Sequence, residues 1–257
     1  MTRILFGPDS SCANAWLAHD MPVLRMLSML LLVVLGAVAS GVARQGKVDI
    51  HFTHDTVLTD NFLVAEDQTA IIDPGVTITF AGYKSLVVRG VLIAQGSSRR
   101  PIRFTCSTPP GVPAEDACWQ GLVVKGRASN ASFAHCRFEG AFRNLVWDAS
   151  PLFDSCTFSG NHYGLYCTAK AVPHVKASVF RGNTYGVFAD AATPLLLLNT
   201  ITGNRVGLHV QLSAKPVAGK NMISGNQTDV HNETALGNDT TSMMTIQTLW
   251  EALKAVY

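Results

Sequence analysis

The chain has 257 residues, 47% hydrophobic and 15% charged, with a formal net charge of +2. That suffices for one sizeable domain plus its ends, and it carries no signature of intrinsic disorder or of a nucleic-acid-binding surface. Low charge suits stacked β-columns, where like charges would repeat face to face.

Residues 1–20 show no clear periodicity. Met21-Pro-Val-Leu-Arg25 then forms a short basic region ahead of the apolar run Met26–Val38, and small residues up to Ala43 offer cleavage points. This is the layout of a secretory signal peptide, so residues 1–43 are expected to be an N-terminal extension and signal. The mature protein is then secreted or exposed at the cell surface. The alternative is an uncleaved signal anchor, because Met26 to Val42 approaches the lower length limit for spanning a bilayer. No other contact with a membrane is expected.

Residues 47–105 read as the first turns of a repeating structure. Ile71–Phe80 is a turn followed by an alternating strand, and Ser85–Thr105 gives strand, turn, strand. Residues 106–120 break the pattern with three prolines and a glycine, which rule out regular structure. Cys106 and Cys118 flank this loop, and in an exported chain they are expected to close it as a disulfide. A loop projecting from a rigid scaffold is a place where function tends to sit.

From Gly121 to about Val230 one phrase recurs. Phe158-Ser-Gly-Asn161, Phe180-Arg-Gly-Asn183, Ile201-Thr-Gly-Asn204 and Ile223-Ser-Gly-Asn226 carry it whole, and Phe138-Glu-Gly-Ala141 lacks the Asn. The glycines Gly140, Gly160, Gly182, Gly203 and Gly225 are spaced by 20, 22, 21 and 22 residues. A second phrase, Gly-φ-x-φ, follows each: Gly164-Leu-Tyr-Cys, Gly186-Val-Phe-Ala and Gly207-Leu-His-Val, with Asn144-Leu-Val-Trp and Asp229-Val-His-Asn as variants. A period near 22 built of short strands and turns leaves no room for a helix, and it points to a parallel β-solenoid. Each residue then lies about 4.8 Å from its counterpart in the next coil, so sequence columns become ladders. Leu122, Leu145, Leu165, Val187, Leu208 and Val230 make one inward column, and Phe138, Phe158, Phe180, Ile201 and Ile223 another. Asn161, Asn183, Asn204 and Asn226 form a polar ladder at a turn, where side-chain amides satisfy backbone groups.

This pattern resembles the right-handed parallel β-helices of the pectin-lyase-like superfamily, over residues 50 to 232. The order Asp-Pro-Gly-Val at 73–76, Pro-Ile-Arg-Phe-Thr at 101–105 and Trp-Gln-Gly-Leu at 119–122 is similar to the opening of secreted β-helix modules of Bark beetle-type junction proteins and bacterial surface proteins. The resemblance implies a fold and carries no catalytic residue with it. The expected architecture is all-β: a right-handed parallel β-helix over residues 47–232, then a polar linker and short capping helix over residues 233–257. Thr245 is the expected N-cap of that helix, and Ile246, Leu249, Trp250, Leu253 and Val256 fall at helical spacing.

Cys136 and Cys156 share a column with Ser178, Asn199 and Asn221 and are read as small packing residues, although a bridge between them is geometrically conceivable. Cys167 falls in an inward column with Val124, Trp147, Ala189 and Val210. Neither a CxxC nor the Cys/His spacing of a zinc site is present, so no metal and no cofactor is expected. Asn130, Asn226, Asn232 and Asn238 begin N-x-Ser/Thr sequons. Asn226 belongs to the ladder and should escape modification, whereas Asn130, Asn232 and Asn238 are expected in loops or the tail and open to glycans.

Two surface constellations remain. Asp148 and Asp190 stand at matching positions two coils apart, hence about 9.6 Å, at the far limit of the window for an inverting acid–base pair. No Arg or Lys column accompanies them, and the acid-pair motifs of polysaccharide-cleaving β-helices are absent. The outward column Val123, Val146, Tyr166, Phe188, His209 and His231 is the stronger feature, because aromatics and histidines stacked on a flat face can hold sugar rings or a protein partner. The expected function is a non-catalytic extracellular module for recognition or scaffolding. The alternative is a carbohydrate-active enzyme using Asp148 and Asp190.

Overall fold

The structure is a computed structural model and describes residues 49–107, 118–211 and 213–233. The signal segment, most of the Cys106–Cys118 loop, Asn238 and the helix expected after Thr245 lie outside the described residues.

The described chain is a parallel β-solenoid of about eight turns, with three eight-stranded parallel sheets. Each coil gives one short strand to each sheet. One coil, for example, contributes Leu152–Asp154 to the first sheet, Thr157–Ser159 to the second and Tyr163–Thr168 to the third. The next contributes His174–Lys176, Val179–Arg181 and Tyr185–Ala189. Phe138 pairs with Phe158, Phe158 with Phe180, Phe180 with Ile201 and Ile201 with Ile223, so the inward column predicted from the repeat is present as read.

Those phenylalanines form the spine of the core. Phe104, Phe138, Phe158 and Phe180 stack at centroid separations of 4.9, 4.8 and 4.7 Å. A second stack, Phe133 on Phe153 at 4.9 Å, meets the first edge-on. Offset-stacked and edge-on pairs are the arrangements favoured by the ring quadrupole. Trp119 lies on Phe80 at 4.4 Å and donates from Nε1 to the Glu139 carbonyl at 2.8 Å.

Two turn ladders hold the coils in register. In the first, Asn161 Nδ2 donates to Asn183 Oδ1 at 3.0 Å, Asn183 to Asn204 at 2.9 Å and Asn204 to Asn226 at 2.9 Å. Each Oδ1 also accepts the backbone N–H of the Asn one coil before, as in Asn161 N to Asn183 Oδ1 at 2.9 Å. Asp229 Oδ1 ends the ladder by accepting both Asn226 N and Nδ2. The glycine before each Asn has a left-handed φ, +64° at Gly160 and +63° at Gly182, which a β-carbon would strain. The second ladder occupies the Cys136 column. Cys156 N donates to Ser178 Oγ, Ser178 N to Asn199 Oδ1, and Asn199 N and Nδ2 to Asn221 Oδ1. There the left-handed position just before the ladder is filled by Ser155, Ala177, Leu198 and Lys220 rather than glycine, which is why only the first ladder announces itself in the sequence.

Cys106 and Cys118 are joined as a disulfide, with a Cα separation of 5.9 Å. Cys136, Cys156 and Cys167 are free and buried. Burial raises the thiol pKa of both Cys136 and Cys167, and Cys156 adds to the effect at Cys136.

One register expectation is corrected. The pairing between Arg143–Trp147 and Tyr163–Thr168 slips by one residue after Arg143, so Leu145 faces Tyr166 and Val146 faces Cys167. The coil here is short, with 20 residues between its glycines, and a β-bulge takes up the difference. Asn144 fills the gap as a buried side chain, donating to the Gly164 carbonyl at 3.0 Å and accepting from Leu122 N. The inward column is therefore Val124, Val146, Cys167, Ala189 and Val210, and Trp147 points out, beneath the Lys125 ammonium. Leu145 moves to the outward column in place of Val146.

Candidate functional site: a stacked aromatic face

The third sheet carries the site. Its outward column, with the bulge included, is Val123, Leu145, Tyr166, Phe188, His209 and His231. Beside it runs a second file, Arg143, Tyr163, Tyr185 and Val206, set just before the first residue of each second phrase, Asn144, Gly164, Gly186 and Gly207. Parallel pairing places like residues in van der Waals reach, so the rings stack. Phe188 lies on His209 at 4.3 Å, Tyr163 on Tyr185 at 5.0 Å, and Phe142 on His162 at 5.2 Å. The two files interlock edge-on: Tyr163 with Phe188 at 5.5 Å, Tyr185 with Phe188 at 5.3 Å and Tyr185 with His209 at 5.7 Å.

This interlocking changes the expected binding stripe. Phe188 and His209 are each only 8% exposed, although both point outward, with the Tyr163 and Tyr185 rings set edge-on against Phe188 and Tyr185 against His209. The half-exposed surface is Tyr163, Tyr166, Tyr185 and His162, with His231 exposed at its end. Tyr163, Tyr185 and His162 were not singled out from the sequence, yet Tyr163-Gly164 and Tyr185-Gly186 mark their column as clearly as the following phrase marks Tyr166.

The surroundings favour the neutral forms of Tyr163, Tyr166 and His162. Burial, then the neighbouring Tyr185, raises the Tyr163 pKa; burial, then Asp190, raises that of Tyr166. Burial lowers the His162 pKa, helped by Arg205. Tyr166 donates its hydroxyl to Asp190 Oδ2 at 3.4 Å and Thr168 donates to the same oxygen at 3.2 Å. Arg143, beside Tyr163 and Tyr166, has a buried Nε with no hydrogen-bond partner.

The structure does not bring the two aspartates into one column. The bulge makes Trp147 and Thr168 the column-mates of Asp190, and Asp148 falls one position beyond. Asp148 adopts a left-handed φ of +47° and pairs with Arg127 Nε at 3.0 Å. Each carboxylate thus has a local partner of its own.

The sequon asparagines are placed as follows. Asn226 Nδ2 is committed to the Ile201 carbonyl and to Asp229, as its ladder position requires. Asn130 is exposed but opens the strand Asn130–Ala134 rather than lying in a loop, and Asn232 closes the strand Thr228–Asn232.

The class defined by fold and site is a parallel β-solenoid with an aromatic face on one sheet. No protein-family model, no curated protein and no solved structure matches the chain.

Proposed function

We propose that the chain is a secreted or surface-exposed β-helix of the pectin-lyase-like kind, and that it acts as a non-catalytic recognition module for carbohydrate through the third sheet. The observation that carries this reading is the array of rings Tyr163, Tyr166, Tyr185 and Phe188, locked by stacked and edge-on contacts across successive coils. Tyr163 and Tyr185 stack on one another across coils, so the face turns ring edges and tyrosine hydroxyls outward, which can make apolar contacts and hydrogen bonds to sugars. The rigid scaffold removes the ordering cost that a loop-borne site would incur on binding. The aromatic pairs Tyr163–Tyr185 and Tyr166–Phe188 each span two successive coils, about 4.8 Å apart, so a ligand lying along the solenoid axis meets both coils.

A glycan and polysaccharide array probed with the secreted form tests this. Binding is expected, and Tyr166→Ala with Tyr185→Ala should weaken it by about 5- to 150-fold, the loss of two ring contacts at about 0.5–1.5 kcal/mol each. The melting temperature shows whether the double variant remains folded. No hit on the array, or hits indifferent to both substitutions, would sink the carbohydrate reading and leave a protein partner or a scaffold.

A further inference from the structure

The outward column ends in a cluster that the recognition reading does not use. His209, in the strand Val206–Val210, pairs with His231 in Thr228–Asn232, and Glu233 follows directly after that strand. Donor atoms of His209, His231 and Glu233 all lie within 4.8 Å of one another. His209 Nε2 stands 3.1 Å from Glu233 Oε1, and the two imidazole centroids are 4.7 Å apart. Two donors on one tetrahedral zinc ion stand about 3.4 Å apart, given bond lengths of about 2.0–2.1 Å. The His–Glu pair is already close to that spacing.

We propose that His209, His231 and Glu233 form a site for a divalent transition-metal ion, with Zn²⁺ the best fit to a two-imidazole, one-carboxylate donor set that leaves a fourth position open. The His209 side chain is 10% exposed and its ring is held by Phe188, stacked on it at 4.3 Å, so Nε2 is preset toward Glu233. His231 is exposed and Glu233 half-buried, so an ion reaches the site from solvent. The ion would tie the last strand of the third sheet to its neighbour, at an edge with no further strand among the described residues. This inference stands independently of carbohydrate binding.

The test is calorimetric titration of the tag-free full chain with Zn²⁺, with Co²⁺ absorption as a report on geometry. One Zn²⁺ per chain is expected, with Co²⁺ giving the intense visible bands of tetrahedral coordination. His231→Ala and Glu233→Gln, at an exposed and a half-exposed position, should each weaken Zn²⁺ by at least about tenfold while leaving the metal-free melting temperature near wild type. Zn²⁺ should raise the melting temperature of the wild type and not of His231→Ala. Affinity should fall as pH drops through the imidazole range, because protons compete for the same nitrogens. Absence of stoichiometric binding, or binding unchanged in both variants, would overturn the proposal.

Discussion

Phe158→Ala is expected to destabilise the solenoid by about 3–5 kcal/mol, the range for emptying a fully buried aromatic position. Phe158 is completely buried, with Phe138 at 4.8 Å on one side, Phe180 at 4.7 Å on the other and Phe153 edge-on at 5.5 Å. The coils on either side are fixed by their own ladder bonds, so the site cannot collapse to fill the void. Urea unfolding of the protein measures the effect as a lower midpoint with a retained slope. Phe158→Leu keeps most of the volume and should cost much less. A Phe158→Ala midpoint within error of wild type would mean that the stack is not a continuous spine.

The second large effect is expected at Asn183, where Ala should cost about 2–4 kcal/mol. Its Oδ1 accepts from Asn161 N and Nδ2, and its Nδ2 donates to Asn204 Oδ1 and to the Phe158 carbonyl. Asn161 Nδ2 keeps the Phe138 carbonyl and Asn204 Oδ1 keeps Asn183 N, so truncation costs the amide's bonds to Asn161 N and the Phe158 carbonyl, at about 1–3 kcal/mol for each group left unsatisfied. Asn226→Ala removes the same residue type at the half-exposed end of the ladder, and its cost should be smaller because solvent can reach the freed groups. Equal losses at the two positions, read from the same urea curves, would refute the idea that burial gives the ladder its strength.

Why these positions were legible in the sequence follows from the same physics. A parallel solenoid repeats its environment every coil, so Phe158, Phe180 and Ile201 recur because each sees the same core. Gly160 and Asn161 recur because a left-handed φ and a buried turn amide are needed together. The environment at Ser155, Ala177, Leu198 and Lys220 repeats as well, but its left-handed backbone is held by residues with no common side-chain character. That ladder was visible only as a column of small and polar residues, and its hydrogen bonds were not foreseen.

The register differences in the site have one cause. The interval from Gly140 to Gly160 is two residues shorter than the next, and nothing in the sequence says where a coil absorbs the difference. The structure absorbs part of it at Asn144, which is read most simply as a poor substitute for the glycine of the second phrase. Here its amide bridges the coils before and after it. That single slip moves Trp147 to the surface, puts Leu145 beside Tyr166 and takes Asp148 out of line with Asp190. The burial of Phe188 and His209 was hidden for a different reason. Alternation predicts that they face outward, which they do, but it cannot show the Tyr163 and Tyr185 rings interlocking with them. His209 and His231 are legible as neighbours one coil apart, but Glu233 lies just past the end of the last strand, outside the repeat that places them.

The central claim is recognition without turnover, and a product assay tests it most directly. The protein is incubated with each glycan or polysaccharide that scores on the array, and new reducing ends and unsaturated uronide absorbance are followed over time. Bound ligand that stays intact, with no product above a heat-treated control, is the predicted result. Product formation that disappears in Asp190→Asn would contradict the claim and make the aromatic face the substrate cleft of an enzyme.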